Sequence, residues 1–280
     1  MAVAPYATPL EKTWYYTFRV LCGLIFFFLM APILIIIPLG FNSIPFFTYP
    51  MEGFSFRWYG EIFGDSPISI LWQRSILNSV IVAVCATLLA TTLGTLAALG
   101  LTRANFPFKS LVMAILISPI IVPIVVTAIG MFYFYAQIGL ASTLKGIILA
   151  HTALGVPFVV ITVSATLAGF DYNMLRAGAI LGANPITVFR KVTLPIITPG
   201  LASGGLFAFA TSWDEVVVVL FLASTEQHTV PRRMWSGIRE LLSPTIIAAA
   251  TLLIIVSIAL MLTMEWLRRR SERMRGVTPA

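Results

Sequence analysis

Asp214 and Glu215 stand side by side in the apolar stretch TSWDEVVVVLFLAS, directly after Trp213. An acidic side chain at mid-depth in a membrane costs at least about 2.5 kcal/mol, so two adjacent ones point to function. Such carboxylates can attract a cationic solute, carry protons, or pair with cations that position neighbouring helices. Trp213 adds an aromatic face for cation–π contact with an ammonium group. Adjacent residues diverge by about 100° around a helix. The two acids should therefore face different partners, Asp214 the solute pathway and Glu215 a neighbouring helix or subunit.

A second segment, LRAGAILGANPITVFRKVTLPIITPG (Leu175 to Gly200), places three basic residues and three prolines between two long apolar runs. Met174–Leu181 reads as a short helix with Asn173 as its N-cap. Gly182 falls where a left-handed residue commonly ends a helix, and Pro185 suits the first turn of another, PITVFRKV. Leu194-Pro195 is expected to stop that second helix. Helix, tight turn and helix together suit docking on another protein better than merely connecting two spans. Beyond the fifth run, VPRRMWSGIRELLSP carries Arg232, Arg233 and Arg239, which are candidates for docking an acidic partner surface.

Other chemistry is missing from the sequence. It has no G-x-x-x-x-G-K-[ST] loop for phosphates, and no H-E-x-x-H, C-x-x-C or G-x-S-x-G. No nucleophile or metal cluster supports a membrane-embedded enzyme. His151, one turn inside the fourth run, reads as a structural histidine. Cys22 and Cys85 lie in separate apolar runs and read as small buried hydrophobes.

The elements that position these residues must be membrane spans. Of 280 residues, 59% are apolar and 10% charged, with a mean hydropathy of +0.95, against about 25% charged in soluble domains. Six runs reach the length needed to cross a bilayer, near 18–39, 75–101, 111–135, 147–170, 199–223 and 244–267, and each should be helical. The first run is too long for a signal-peptide core and reads as a retained span, preceded by a terminal segment 1–17. The net charge of +7 sits at the ends of apolar runs and not on a nucleic-acid-binding face. Twelve lysines and arginines fall on the side of both termini, the basic tail 268–280 and the segment 171–198, and six on the other. That asymmetry makes the first side cytoplasmic. Trp14, Tyr15, Tyr16 and Trp266 fit an interfacial belt. The outer loop 40–74 should hold a surface helix with Phe56, Tyr59 and Phe63 on one face.

Small residues recur every four positions in the second run (Ala86, Ala90, Gly94, Ala98), and Gly200, Ser203, Gly204, Gly205 and Ala208 form a similar group in the fifth. Such stripes let helix backbones approach closely. Pro119 and Pro123 should kink the third run.

The 171–198 segment resembles a motif of the permease subunits of bacterial ABC importers, E-A-A-x-x-x-G followed about nine residues later by I-x-L-P. Here it reads Arg176-Ala177-Gly178-Ala179-Ile180-Leu181-Gly182, then Val192-Thr193-Leu194-Pro195. Ala177, Gly182, Phe189 and the Leu194-Pro195 pair match. Arg176 replaces the family glutamate with the opposite charge, and Gly178 replaces the second alanine. The resemblance covers about 75–270 and implies an all-α integral membrane protein with six transmembrane helices, the type I ABC importer permease fold, with a five-helix core over 75–267. It makes Met174, Leu175, Arg176, Ala177, Gly178, Leu181, Gly182, Phe189, Leu194 and Pro195 the element that couples to a separate ATPase. It also implies partners: a second homologous permease, two ATPase subunits and an extracytoplasmic substrate-binding protein. ATP and Mg would be held by the ATPase and no cofactor by this chain, in a bacterial inner membrane. SWDEVVVVLF and VPRRMWSGIRELLSP together resemble the second permease of the spermidine/putrescine-type subfamily, which implies a polyamine or related amine as solute. The competing reading is a proton-coupled secondary transporter that uses Asp214 and Glu215 as proton carriers.

Overall fold

The computed structural model describes residues 6, 8–103, 107–240 and 243–274; the end of the expected basic tail, from Arg275 onward, lies outside them. The described chain is helical, apart from connecting loops and one isolated bridge between Asn42 and Phe54.

Helix α1 spans Pro9–Leu39 and starts earlier than the apolar run alone indicates. Thr8 caps it reciprocally with Glu11, whose carboxylate accepts the Thr8 N–H at 2.7 Å. No residue of α1 is buried, and Cys22 is exposed rather than buried; the span touches α12 but most of its side chains stay uncovered. Helix α2 (Arg57–Phe63) buries Trp58 and Ile62. They join Trp72, Val230, Ala248 and Ala249 in one apolar cluster, while Phe56 and Phe63 stay exposed. Trp58 and Ile62, four residues apart, share the side of α2 that meets the bundle, while Phe56 lies just outside the helix as its N-cap. Phe56 and Tyr59 instead gather round Phe41 and Phe54.

Helix α3 (Pro67–Arg103) is followed by α4 (Lys109–Ile121) and α5 (Ile124–Gln137), whose axes differ by 107°. The predicted kink is therefore a break. It falls at Val122-Pro123, where Val122 is extended, since proline lacks a donor and disfavours helix in the residue before it. Pro119 stays inside α4. Helix α6 (Leu144–Ala168) starts from a Thr143 cap. After α7 (Asn173–Ile180) and α8 (Pro185–Val188), a π-helical turn over Phe189–Thr193 leads into α9 (Leu194–Asp214). Helices α10 (Val217–Leu222), α11 (Val230–Glu240) and α12 (Pro244–Met274) complete the order. Five described helical stretches are long and apolar enough to cross a membrane, and the bent α4–α5 pair makes a sixth if taken as one span.

The core sits where α3, α6 and α9 meet. Ala90, Ala98, Val159, Val163, Ile197 and Ala208 are buried there. The small-residue stripes are what allow this contact. A Cβ on Gly94 would lie 2.7 Å from the Cβ of Val159, and one on Gly204 2.8 Å from the Cα of Val159. Thr162 Oγ1 then donates across to the Gly200 carbonyl at 3.0 Å, closing α6 on α9. A second cluster, which includes Val82, Tyr135, Ile147, Leu154 and Val219, holds α5 and α10 against α3 and α6.

Candidate functional site

The two candidate regions lie at opposite ends of α9. At its start, α7 forms as expected but one residue earlier. Tyr172, not Asn173, is the N-cap, and Asn173 is the first helical residue. The Asp171 carboxylate accepts the Asn173 N–H at 2.9 Å, so Asp171 supplies the polar end that asparagine was expected to supply. Leu181 ends the helix and Gly182 follows at φ +78°, a conformation that glycine adopts without steric cost. Asn184 then caps α8, accepting the Thr187 N–H at 2.8 Å, with Pro185 in its first turn.

Leu194-Pro195 does not stop the helix; the chain runs helically from Pro185 to Asp214. The π-helical turn is the reason. The Leu194 N–H reaches back five residues to the Phe189 carbonyl, and Pro195, with no N–H to place, fits the first turn of α9.

Leu175, Val192 and Leu194 pack against the α3–α6–α9 core and anchor the segment. Gly178 faces Val188, whose methyl would lie 3.1 Å from an added Cβ, so the short residue lets α7 fold against α8. Ile180 and Leu181 are each 86% exposed, and Met174 and Ile186 are exposed as well. Ile180 and Ile186 were missed by motif matching alone, although an apolar side chain on a segment with no core to face is itself a signal. Arg176 is exposed and makes no ion pair among the described residues.

At the other end, α9 breaks at Glu215, whose backbone is extended (ψ 123°). The expectation of one continuous helix through both acids is therefore wrong, although the acids still diverge: Asp214 is exposed and Glu215 is 8% exposed. Glu215 Oε1 accepts the Val218 N–H at 2.9 Å, placing its carboxylate on the first turn of α10, where orphan donors and the helix dipole favour negative charge. This local capping, which costs less than an uncompensated intramembrane charge, explains the break. Trp213 is buried and its ring stacks on Phe209 at 5.7 Å. In this conformation it does not offer the open aromatic face expected for an ammonium group. Behind it, His151 Nδ1 lies 2.7 Å from Ser212 Oγ. The histidine is 1% exposed and joins α6 to α9 in the structural role expected of it. Ser212 escaped notice because a lone serine in an apolar run carries no pattern.

The three arginines separate in the fold. Arg233 Nε donates to Ser75 Oγ at 3.0 Å, and its guanidinium lies over Trp72, fastening α11 to α3. Arg232 donates to Ser236 and lines two cavities, of about 340 and 470 Å³. Arg239 is exposed and lines the smaller one. His228 lines the larger. Burial, followed by the charges of Arg232 and Arg233, holds its pKa down at about 4 from 6.5. Its unfolded form takes up a proton as pH falls through about 6.5, while the folded form resists until about 4, so stability is lost over that window on acidification. Thermal unfolding followed from pH 7 to 4 should show a steeper loss in the parent than in His228→Gln; parallel curves would refute this.

Residues 90–274 match the family described as the inner membrane component of binding-protein-dependent transport systems. The chain is 31% identical over 248 residues to the spermidine/putrescine transport system permease protein PotC of Haemophilus influenzae, covering 89% of this chain and 95% of that protein. It is also 31% identical to the putrescine transport system permease protein PotI of Escherichia coli K12, covering 89% and 90%. Among solved structures, a bacterial ABC transporter involved in the import of the acidic polysaccharide alginate matches with a TM-score of 0.72 at 16% identity, covering 93% of this chain and 97% of that one. The MetNI methionine ABC transporter matches at 0.60 and 18% identity, covering 74% and 99%.

Proposed function

The chain belongs to the family of inner membrane components of binding-protein-dependent transport systems, as a non-catalytic ABC importer permease subunit, and from this we propose that it carries a small cationic solute, a polyamine or related amine. The observation that carries this reading is the likeness to polyamine permeases along about nine-tenths of the chain. The exposed carboxylate of Asp214 beside the α9–α10 break agrees with it.

In this proposal a second homologous permease completes the pathway. Two ATPase subunits hold ATP and Mg and receive α7, and an extracytoplasmic binding protein delivers the solute to the face carrying Arg232 and Arg239. Both termini and the 171–198 segment lie in the cytoplasm. Closure of the ATPase dimer on ATP draws the two α7 helices together, and because α7 is anchored to the core through Leu175, the bundle follows. ATP shifts the population outward only because it binds that state better. The exposed Ile180 and Leu181 supply apolar contact with the ATPase, and Arg176 asks for a surface there that accepts positive charge.

Reconstitution of the purified complex in vesicles tests this. Amine uptake should require ATP and the binding protein; uptake driven by a proton gradient with no ATPase would overturn it in favour of secondary transport. Asp214→Asn should leave assembly intact. A hydrogen bond to a charged group contributes about 1.5–3 kcal/mol, so uptake at limiting amine should fall at least about tenfold. Failure of that variant to assemble would instead make Asp214 a structural group.

A further inference from the structure

A cavity of about 560 Å³ opens between the end of α3, the start of α4, the end of α6 and Tyr172, the residue that caps α7. Its polar lining is rich in donors and contains no acid among the described residues. Lys109 and Ser110 stand in the first turn of α4, and Thr102 and Ser164 approach from α3 and α6. Lys109 makes no ion pair among the described residues. Ser164 Oγ is buried and has no hydrogen-bond partner among the described residues. Phe108 supplies no side-chain cap to the first turn of α4, which is the positive end of a 13-residue helix. Asp171, next to Tyr172, is already engaged with the Asn173 N–H. An ammonium and two serine hydroxyls around one space, at the positive end of a helix, are what a phosphate oxygen requires.

The rest of the cavity decides what carries the phosphate. Its volume far exceeds that of one phosphate, and Leu101, Met113 and Leu167 make part of its wall apolar. From it, α4 runs on with no buried residue and with Leu111 and Ile115 exposed, an open apolar track along which an acyl chain can lie. We propose that this cavity binds the phosphate of an anionic phospholipid, with Lys109, Ser110 and Ser164 as the headgroup contacts. Because Tyr172 both lines the cavity and caps α7, the bound headgroup braces the segment that meets the ATPase. The bracing of an ATPase-facing segment rests on the function proposed above; the lipid binding itself does not.

The test uses the assembled transporter in detergent, incubated with phosphatidylglycerol or phosphatidylcholine and examined by native mass spectrometry. Phosphatidylglycerol should be retained in preference to phosphatidylcholine. One lysine beside an anionic headgroup accounts for about fivefold in affinity, so Lys109→Gln should lower retention by that factor. Lys109→Arg should restore it, and Lys145→Gln, an exposed lysine on the far end of α6, should not change it. Elution as a single species on size exclusion verifies that each variant is folded. Equal retention by the parent and Lys109→Gln would overturn the site. Full displacement of the lipid by inorganic phosphate would overturn the lipid assignment and leave a site for free phosphate.

Discussion

Gly204→Val will prevent the chain from forming a stable bundle. The added Cβ would sit 2.8 Å from the Cα of Val159 and against Thr162 Oγ1. A backbone atom in the middle of a packed helix cannot swing aside as a side-chain tip can. Overpacking a core costs about 1–3 kcal/mol when neighbours relax; here α9 must move away from α6, which also loses the Thr162–Gly200 hydrogen bond and uncovers Val159. The expected cost therefore exceeds about 3 kcal/mol. Gly205→Ala makes the comparison, since its Cβ would meet Thr91 Oγ1 at 3.0 Å, a contact that a small shift relieves. Heating the detergent-solubilised proteins and following the monodisperse fraction should show Gly204→Val lost at temperatures where Gly205→Ala survives. Similar profiles for Gly204→Val and the parent would refute the close α6–α9 approach.

Gly182→Val should act differently, on coupling rather than on folding. Nothing lies within 4 Å of a Cβ at this position, so no neighbour is struck, but φ is +78°, which costs an L-residue about 1–2 kcal/mol and a β-branched one more. The turn will relax toward negative φ and re-aim α7 relative to α8, carrying Ile180 and Leu181 with it. The protein should insert and assemble, with ATP hydrolysis retained and amine uptake reduced about tenfold, the factor equivalent to that strain. Gly182→Asn, which tolerates the left-handed region, should keep most of the uptake. Normal transport by the valine variant would remove the turn from the coupling role.

Local features were readable residue by residue. The turn at Gly182, the helix start at Pro185 and the close-packing stripe through Gly94 and Ala98 depend on backbone sterics or on the absence of a side chain, and both are visible in the sequence. Pro123 was readable as a disturbance, though not as a 107° break, because the angle depends on what α5 packs against. The end of α9 is not legible in the sequence because apolar composition resumes at once with Val216 and Val217, and hydropathy does not register that a carboxylate can turn back to cap a new helix.

Taken alone, the sequence determined that lipid is the solvent, that the chain crosses it in helical runs, and that a helix–glycine–helix element interrupts them. Those conclusions follow from transfer free energies and local dihedral preferences, which need no knowledge of neighbours. Only the tertiary structure decided that α3, α6 and α9 form the core, that Trp213 is covered by Phe209, that a π-helical turn absorbs Pro195, and that Lys109 and Ser164 border one cavity. Each of these joins residues through contacts or backbone geometry that the order of residue types does not encode, and what faces what is set when packed helices exclude every other arrangement.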